Sequence, residues 1–228
     1  MTQNKIKEML DMLNTLNEYF LSLPDDMLLG IDPRDNESLD TNCRFIKQFN
    51  DSLSDFTNSS AKIESQIKKY FSINPEEDDV EKETIEGNGK KRIIRELDRT
   101  ECYSLDANFT YKRPFGFVLY DTAYKGIKTW KSLYLQVLKE LYAQFPEKFL
   151  LLPSEEIFIS KRGNPLFSLN STELRVFEEL FSGFFVELNL PANNIIRNIK
   201  ELLKYFDLSE SEFKVYLRED RDANPINL

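Results

Sequence analysis

Ten positions in one segment keep an unbroken alternation of three- and four-residue steps: Leu39, Asn42, Ile46, Phe49, Leu53, Phe56, Ser60, Ile63, Ile67 and Tyr70. An α-helix turns once in 3.6 residues, so this spacing draws them into one stripe along a helix from about Asn36 to Tyr70. Most of the stripe is apolar. Asn42 and Ser60 are its polar breaks, and Cys43 and Phe45 flank it. Apolar surface of this extent is a liability in water, so something has to cover it.

A shorter stripe precedes it. Ile6, Met9, Leu13, Leu16 and Phe20 follow the same alternation, and Leu10 widens it. Pro24 is expected to end this first helix, because proline lacks an amide and crowds the preceding turn. Pro24 to Glu37 then reads as a loop punctuated by Gly30 and Asp32-Pro33, with Met27, Leu28, Leu29 and Ile31 folding back onto the helices. Two arrangements satisfy the arm, residues 1–71. One is a hairpin in which the first helix covers the second. The other is a coiled coil that self-associates or docks a partner protein through Ile46, Phe49, Leu53, Phe56, Ile63 and Ile67. The second helix is nearly twice the length of the first, so part of its stripe calls for a further partner.

Residues 72–92 read as an acidic, mobile linker: Pro75-Glu76-Glu77-Asp78-Asp79, further acid, then Gly87-Asn88-Gly89. The net charge of −9 is concentrated in this first part of the chain. Met1 to Asn88 holds 9 basic and 19 acidic residues, whereas the remainder is nearly balanced. Such a chain is not a general coater of nucleic acid, but its C-terminal part can carry a local basic patch.

Residues 93–228 change character and predict a small α+β domain. Ile93 to Asp98 reads as a short helix or turn. Phe115 to Tyr120 is rich in strand formers, and Asp121 to Lys125 continues as a turn or second strand. Thr129 is a candidate N-cap for a helix from Trp130 to about Phe145, with Pro146 at its end. Leu150 to Ile159 is irregular. Phe184 to Leu190 predicts a strand, Pro191 to Tyr205 a helix and Phe213 to Leu217 a last strand, an ending compatible with a parallel βαβ unit. Arg218 to Leu228 reads as an exposed tail. The fold class expected is therefore α+β, a helical hairpin or coiled coil followed by a small mixed domain.

Composition removes several chemistries. The chain has no histidine, which excludes histidine-based triads, histidine general bases and histidine-ligated zinc. Cys43 and Cys102 are two cysteines in different segments and read as reduced thiols. No run of about 18 apolar residues and no leader-like segment occurs, so a cytoplasmic protein without membrane attachment is expected. No cofactor or metal site is expected.

Three local features invite function. The junction Asn189-Leu190-Pro191-Ala192-Asn193-Asn194 enters a helix whose free amides suit a phosphate, with Arg197 one turn on. Without a glycine-rich loop, ordinary capping by asparagine is the simpler reading. The stretch from Tyr124 to Lys131 interleaves Lys125, Lys128 and Lys131 with Tyr124 and Trp130, and Lys112, Arg113, Lys161 and Arg162 extend it into a candidate nucleic-acid surface. Its alternative is a solvated hairpin with Trp130 in the core. Glu187, flanked by apolar residues, is a candidate for binding a divalent metal with Asp121, Lys125 or the Glu219-Asp220-Arg221-Asp222 cluster, or else a solvent-facing acid on an edge strand. A restriction-type nuclease wants Glu-x-Lys on that strand, and the sequence reads Glu187-Leu188-Asn189.

The segments Tyr111 to Trp130, Phe184 to Lys200 and Val215-Tyr216-Leu217-Arg218-Glu219-Asp220 resemble uncharacterised bacterial proteins found near restriction and phage-defence genes. The resemblance covers about half the chain and implies no catalytic residue. The expectation is a non-enzymatic accessory or adaptor subunit, assembling through the arm and binding protein or nucleic acid through the C-terminal domain. A carboxylate-based, divalent-metal-dependent nuclease and a nucleic-acid-binding regulator are the alternatives.

Overall fold

The computed structural model describes residues 3–32, 34–71, 80–84, 93, 97, 102–160 and 163–218. Two long helices open the chain, α1 (Gln3–Leu29) and α2 (Asn36–Phe71). Asp35 starts α2 by accepting the amides of Glu37 and Ser38, both at 3.2 Å, which satisfies donors that have no partner inside the helix. The helices run antiparallel. Ile67 packs on Ile6 and Leu10, the Thr57 hydroxyl donates to Asn17 Oδ1 at 2.9 Å, and Phe20 sets its ring against Phe49 and Phe56. The hairpin is thus made within one chain.

Two expectations for this region are corrected. Pro24 lies inside α1 and does not end it. Contacts beyond the proline hold the last turns in place: Asp26 bonds to the Tyr111 hydroxyl, and Asp25 lies in the field of Arg197. Such tertiary contacts offset the hydrogen bond that proline removes. Leu28 and Leu29 do not fold back onto the helices; they are 51% and 75% exposed. The buried line of α2 also departs from the even 3/4 stripe. It runs through Leu53, Thr57 and Ser60, whereas Ile63 is 47% exposed. α2 is covered from two sides, by α1 and by the domain that follows, so its buried line falls between them.

The domain is built on a five-stranded antiparallel sheet. Its members are β1 (Glu81–Thr84), β2 (Cys102–Tyr103), β3 (Pro114–Leu119), β4 (Thr122–Lys125) and β8 (Phe213–Leu217), in the order β1-β4-β3-β8-β2. A three-stranded antiparallel sheet holds β5 (Phe167–Ser168), β7 (Phe184–Glu187) and β6 (Phe177–Phe181) in that order. Helix α3 (Trp130–Gln144) packs on β3 and on α5 (Ala192–Tyr205), and the short α4 (Pro146–Phe149) follows α3. Phe149 is fully buried and joins the smaller sheet to the end of α5, touching Phe167, Phe181, Phe184 and Phe206. Gly116 is required where β3 meets β4: a Cβ there would stand 2.3 Å from the Tyr124 carbonyl oxygen.

The α+β class is observed, and several details differ from the sequence reading. The strand-helix-strand ending is not a βαβ unit, because β7 and β8 belong to different sheets. Residues 81–84 fall within the expected mobile linker yet pair antiparallel with β4 as an edge strand. Apart from Val80, the remainder of that linker, Lys161, Arg162 and the expected tail after Arg218 lie outside the described residues. Ile93 and Leu97 are helical and buried beside Val118 and Tyr216.

Candidate functional site

The feature that joins the two parts is the seat of α1 on the turn before α3. Thr129 caps α3 as the sequence suggests, its hydroxyl accepting the Ser132 amide at 3.0 Å. That leaves the Trp130 and Lys131 amides, which have no acceptor within the helix. Glu18 of α1 supplies one. Its carboxyl oxygen accepts from the Trp130 amide and, at 3.4 Å, from that of Lys131. Two turns back along α1, Asp11 pairs with Lys128 at 3.1 Å. On the next position of α1, the Tyr19 hydroxyl accepts from Arg113 Nε at 3.2 Å, with the guanidinium 5.7 Å from the ring centre and Tyr111 edge-on to the same ring.

Behind these contacts lies a small cavity of about 50 Å³, lined by Asn17, Leu21, Thr57, Ser60, Ala61 and Glu64 of the hairpin and by Thr129, Lys131, Val176, Leu188 and Leu190 of the domain. The hairpin therefore brings several polar groups, with Leu21 and Ala61 among them, to the side that meets the domain. Burial raises the Glu18 carboxyl to about 8, against the opposing pull of the Trp130 and Lys131 amides and Arg113. Burial also acts to raise Glu64, but Lys131, Lys68 and Asn14 outweigh it and hold that carboxyl below its ordinary value.

The candidate basic residues fall in several places. Arg113, Lys128 and Lys131 stand at the junction, Lys131 also pairing with Glu178 at 3.0 Å. Lys125 pairs with Glu81 at 3.2 Å and helps hold β1 to the sheet edge. Lys112 is exposed, its ammonium 4.7 Å from the centre of the Tyr103 ring. Trp130 is core: it is 1% exposed and its indole donates to the Lys112 carbonyl at 2.8 Å. Lys161 and Arg162 lie outside the described residues.

Asn193 and Arg197 flank an open groove of about 420 Å³ beside the first turns of α5. Asn193 is engaged in structure. Its oxygen accepts the Phe109 amide at 2.8 Å and its nitrogen donates to Asn108 and Thr110, which pins the 108–110 turn to α5. Arg197 is exposed and donates to Asn194 Oδ1 at 3.0 Å.

Glu187 does not face solvent. It is 3% exposed, and its carboxylate accepts the amides of Arg175, Val176 and Asn189. These bonds stabilise the charge and occupy the oxygens a metal would need. Among the described residues, no group of three or more Asp, Glu or Cys is disposed to hold a metal ion. The buried Glu140 on α3, which the sequence reading passed over, accepts from the Tyr124 hydroxyl and from Lys82 of β1. Glu18 and Asp11 were also missed. The available signal was a polar stripe at helical spacing, Asn14, Asn17, Glu18 and Ser22 on α1 facing Thr57, Ser60 and Glu64 on α2.

No family model matches the chain, and no curated protein or solved structure matches it. Among the described residues, no helix is long and apolar enough to cross a membrane.

Proposed function

We propose that this chain is a non-enzymatic accessory or adaptor subunit of a bacterial complex, assembling through its hairpin and binding protein or nucleic acid through its C-terminal domain. The observation that carries the reading is the orientation of the hairpin. It turns Asn17, Glu18, Thr57 and Ser60 toward its own domain and leaves Met9, Met12, Leu16 and Ile63 in water. A helix that serves only its own fold puts the apolar side inward. An apolar face left exposed on both helices, beyond the apolar residues buried between them, is the mark of an interaction surface.

The resemblance of the C-terminal segments to proteins near restriction and phage-defence genes supports a defence setting. A cytoplasmic location agrees with the two free cysteines, of which Cys102 is exposed. For the domain, the basic side chains Lys112 and Arg197 are the exposed candidates for contact with a nucleic-acid backbone.

The test is a binding assay on the full chain with single- and double-stranded DNA and RNA across a salt series, run beside a measurement of solution mass. Self-association or stable capture of a defined partner through the hairpin, with no turnover of nucleic acid, is the expected result. A chain that stays monomeric, captures nothing and cleaves nucleic acid with Mg²⁺ or Mn²⁺ would overturn the reading.

A further inference from the structure

We infer that the outward face of the hairpin is a pairing surface for a second copy of this chain, an inference that rests on the adaptor reading and names its partner. On α1, Met9, Met12 and Leu16 are spaced by three and four residues and are 50%, 65% and 42% exposed. They share one face, turned away from Asp11 and Glu18, and the same line meets the domain only farther on, at Tyr19. On α2, Phe45, Phe56, Ile63 and Tyr70 share a face beside the one that carries Thr57, Ser60 and Glu64. Phe45, Ile63 and Tyr70 are 44%, 47% and 82% exposed.

The register of the hairpin brings these two rows side by side. Asn17 meets Thr57, and Ile6 and Leu10 meet Ile67, so Met12 lies level with Ile63 in the antiparallel pair. The result is an apolar patch in which Met9, Met12 and Leu16 lie beside Ile63 and Tyr70, with Phe45 farther along the same side of α2.

Charge decides between occupants. The chain carries −9 overall, so two copies repel through most of their surfaces. The strip is where that repulsion is weakest. The residues that fill the same line of α2 between its apolar members are Gln48, Ser52, Ser59 and Gln66, all neutral. On α1, Lys5 continues the line of Met9, Met12 and Leu16, and the exposed Glu8 stands at its margin, so the two charges there are opposite. A two-fold pairing sets the same patch against itself, which a neutral strip permits without opposing like charges. A polyanion or a strongly charged protein would find nothing there to recognise it.

The area also fits. At these exposures the six side chains leave on the order of 600–700 Å² uncovered per copy, so two copies would bury roughly 1,200–1,400 Å², within the range of specific interfaces. The pairing is a four-helix arrangement, two hairpins meeting face to face, with knobs from Met, Leu, Ile and Phe side chains.

The experiment measures solution mass by light scattering and sedimentation on the full chain over a wide concentration range. The comparison is a Met12→Glu, Ile63→Glu double variant whose fold is checked by circular dichroism and thermal melting. The expected result is twice the chain mass of 26.9 kDa for the unaltered protein and a single chain mass for the folded variant. A Met12→Glu, Ile63→Glu chain mixed with a Met12→Lys, Ile63→Lys chain is expected to recover the double mass. A dimer that persists unchanged in the folded variant overturns the inference. So does an unaltered chain that remains monomeric at the highest concentration. In that second case, loss of capture of a defined heterologous partner on Met12→Glu leaves the adaptor reading standing, whereas a chain that captures nothing removes both.

Discussion

The domain buries an almost wholly apolar core, whereas the hairpin buries the polar Ser22, Thr57 and Ser60 beside the apolar Ile6, Leu10 and Leu53. The domain closes around Trp130, Phe117, Phe149, Ile199 and Val215, all at or near zero exposure, and its few buried acids are held by hydroxyls, amides or cations. The hairpin turns hydroxyls, amides and carboxylates toward that domain and keeps much of its apolar surface outside. The first kind of packing is dominated by the hydrophobic effect and carries little pH dependence. The second depends on desolvated charges and oriented hydrogen bonds, whose strength follows pH and salt. The seat of the hairpin is therefore expected to respond to pH and salt more than the core of the domain does.

That contrast orders the expected effects of substitution. Phe149→Ala, which opens a void where the smaller sheet, α3 and α5 meet, should destabilise the chain by about 3–5 kcal/mol in denaturant unfolding. Next comes the latch on the sheet edge. Lys82→Met takes the cation from the buried Glu140, which keeps its bond from Tyr124, and should cost about 1–3 kcal/mol. Hydrogen exchange would read the loss as faster exchange in Glu81–Thr84, with β3 and β8 unaffected.

The hairpin seat should respond to pH. The Glu18 carboxyl is raised from 4.5 to about 8 in the folded chain. Below 4.5 the proton is bound whether or not the chain is folded, and the contribution of the protonated group is fully present. Between 4.5 and about 8 the unfolded chain gives up its proton and the folded chain keeps it, so stability falls as pH rises through that window. Thermal melts from acid to mildly alkaline pH should show this decline, flattened by Glu18→Gln. A stability that instead rises over the same window in the unaltered chain, with the rise lost in Glu18→Gln, would mean that the α3 amides and Arg113 outweigh burial. Smallest of all, Met12→Ser should change the stability of an isolated chain by less than about 0.5 kcal/mol, since its side chain is 65% exposed. A larger loss in dilute solution would show that the outer strip is already packed within one chain, and the contrast between the two regions would fail.

Much of the domain was legible because its signals are local. Thr129 followed by an apolar periodicity marks a capped helix, and the strand over Phe213–Leu217 is bounded as its residue types suggest. The helix after Pro191 needed nothing beyond its spacing. The errors arise where distant residues decide. Pro24 reads as a stop until Tyr111 and Arg197 hold the turns beyond it. Glu81–Thr84 has no strand propensity to speak of, and it pairs with β4 because Lys82 reaches Glu140 and Glu81 meets Lys125. The apolar stripe of α2 was plain, but which side of it would be covered depends on a docking direction set by Glu18, Asp11 and Tyr19. For the candidate site, Lys128 and Lys131 were visible as a basic turn, while the acid facing them came from a helix more than a hundred residues away.

The central claim is that the hairpin seats on the domain through Glu18 at the start of α3. It is tested most directly by amide hydrogen exchange at Trp130 and Lys131. These first-turn amides have no acceptor within their own helix, so protection there reports the arm. Protection in the unaltered chain that is lost in Glu18→Ala, while Phe117 and Val215 exchange as before, is the predicted result. Equal exchange at Trp130 and Lys131 in both proteins would contradict it.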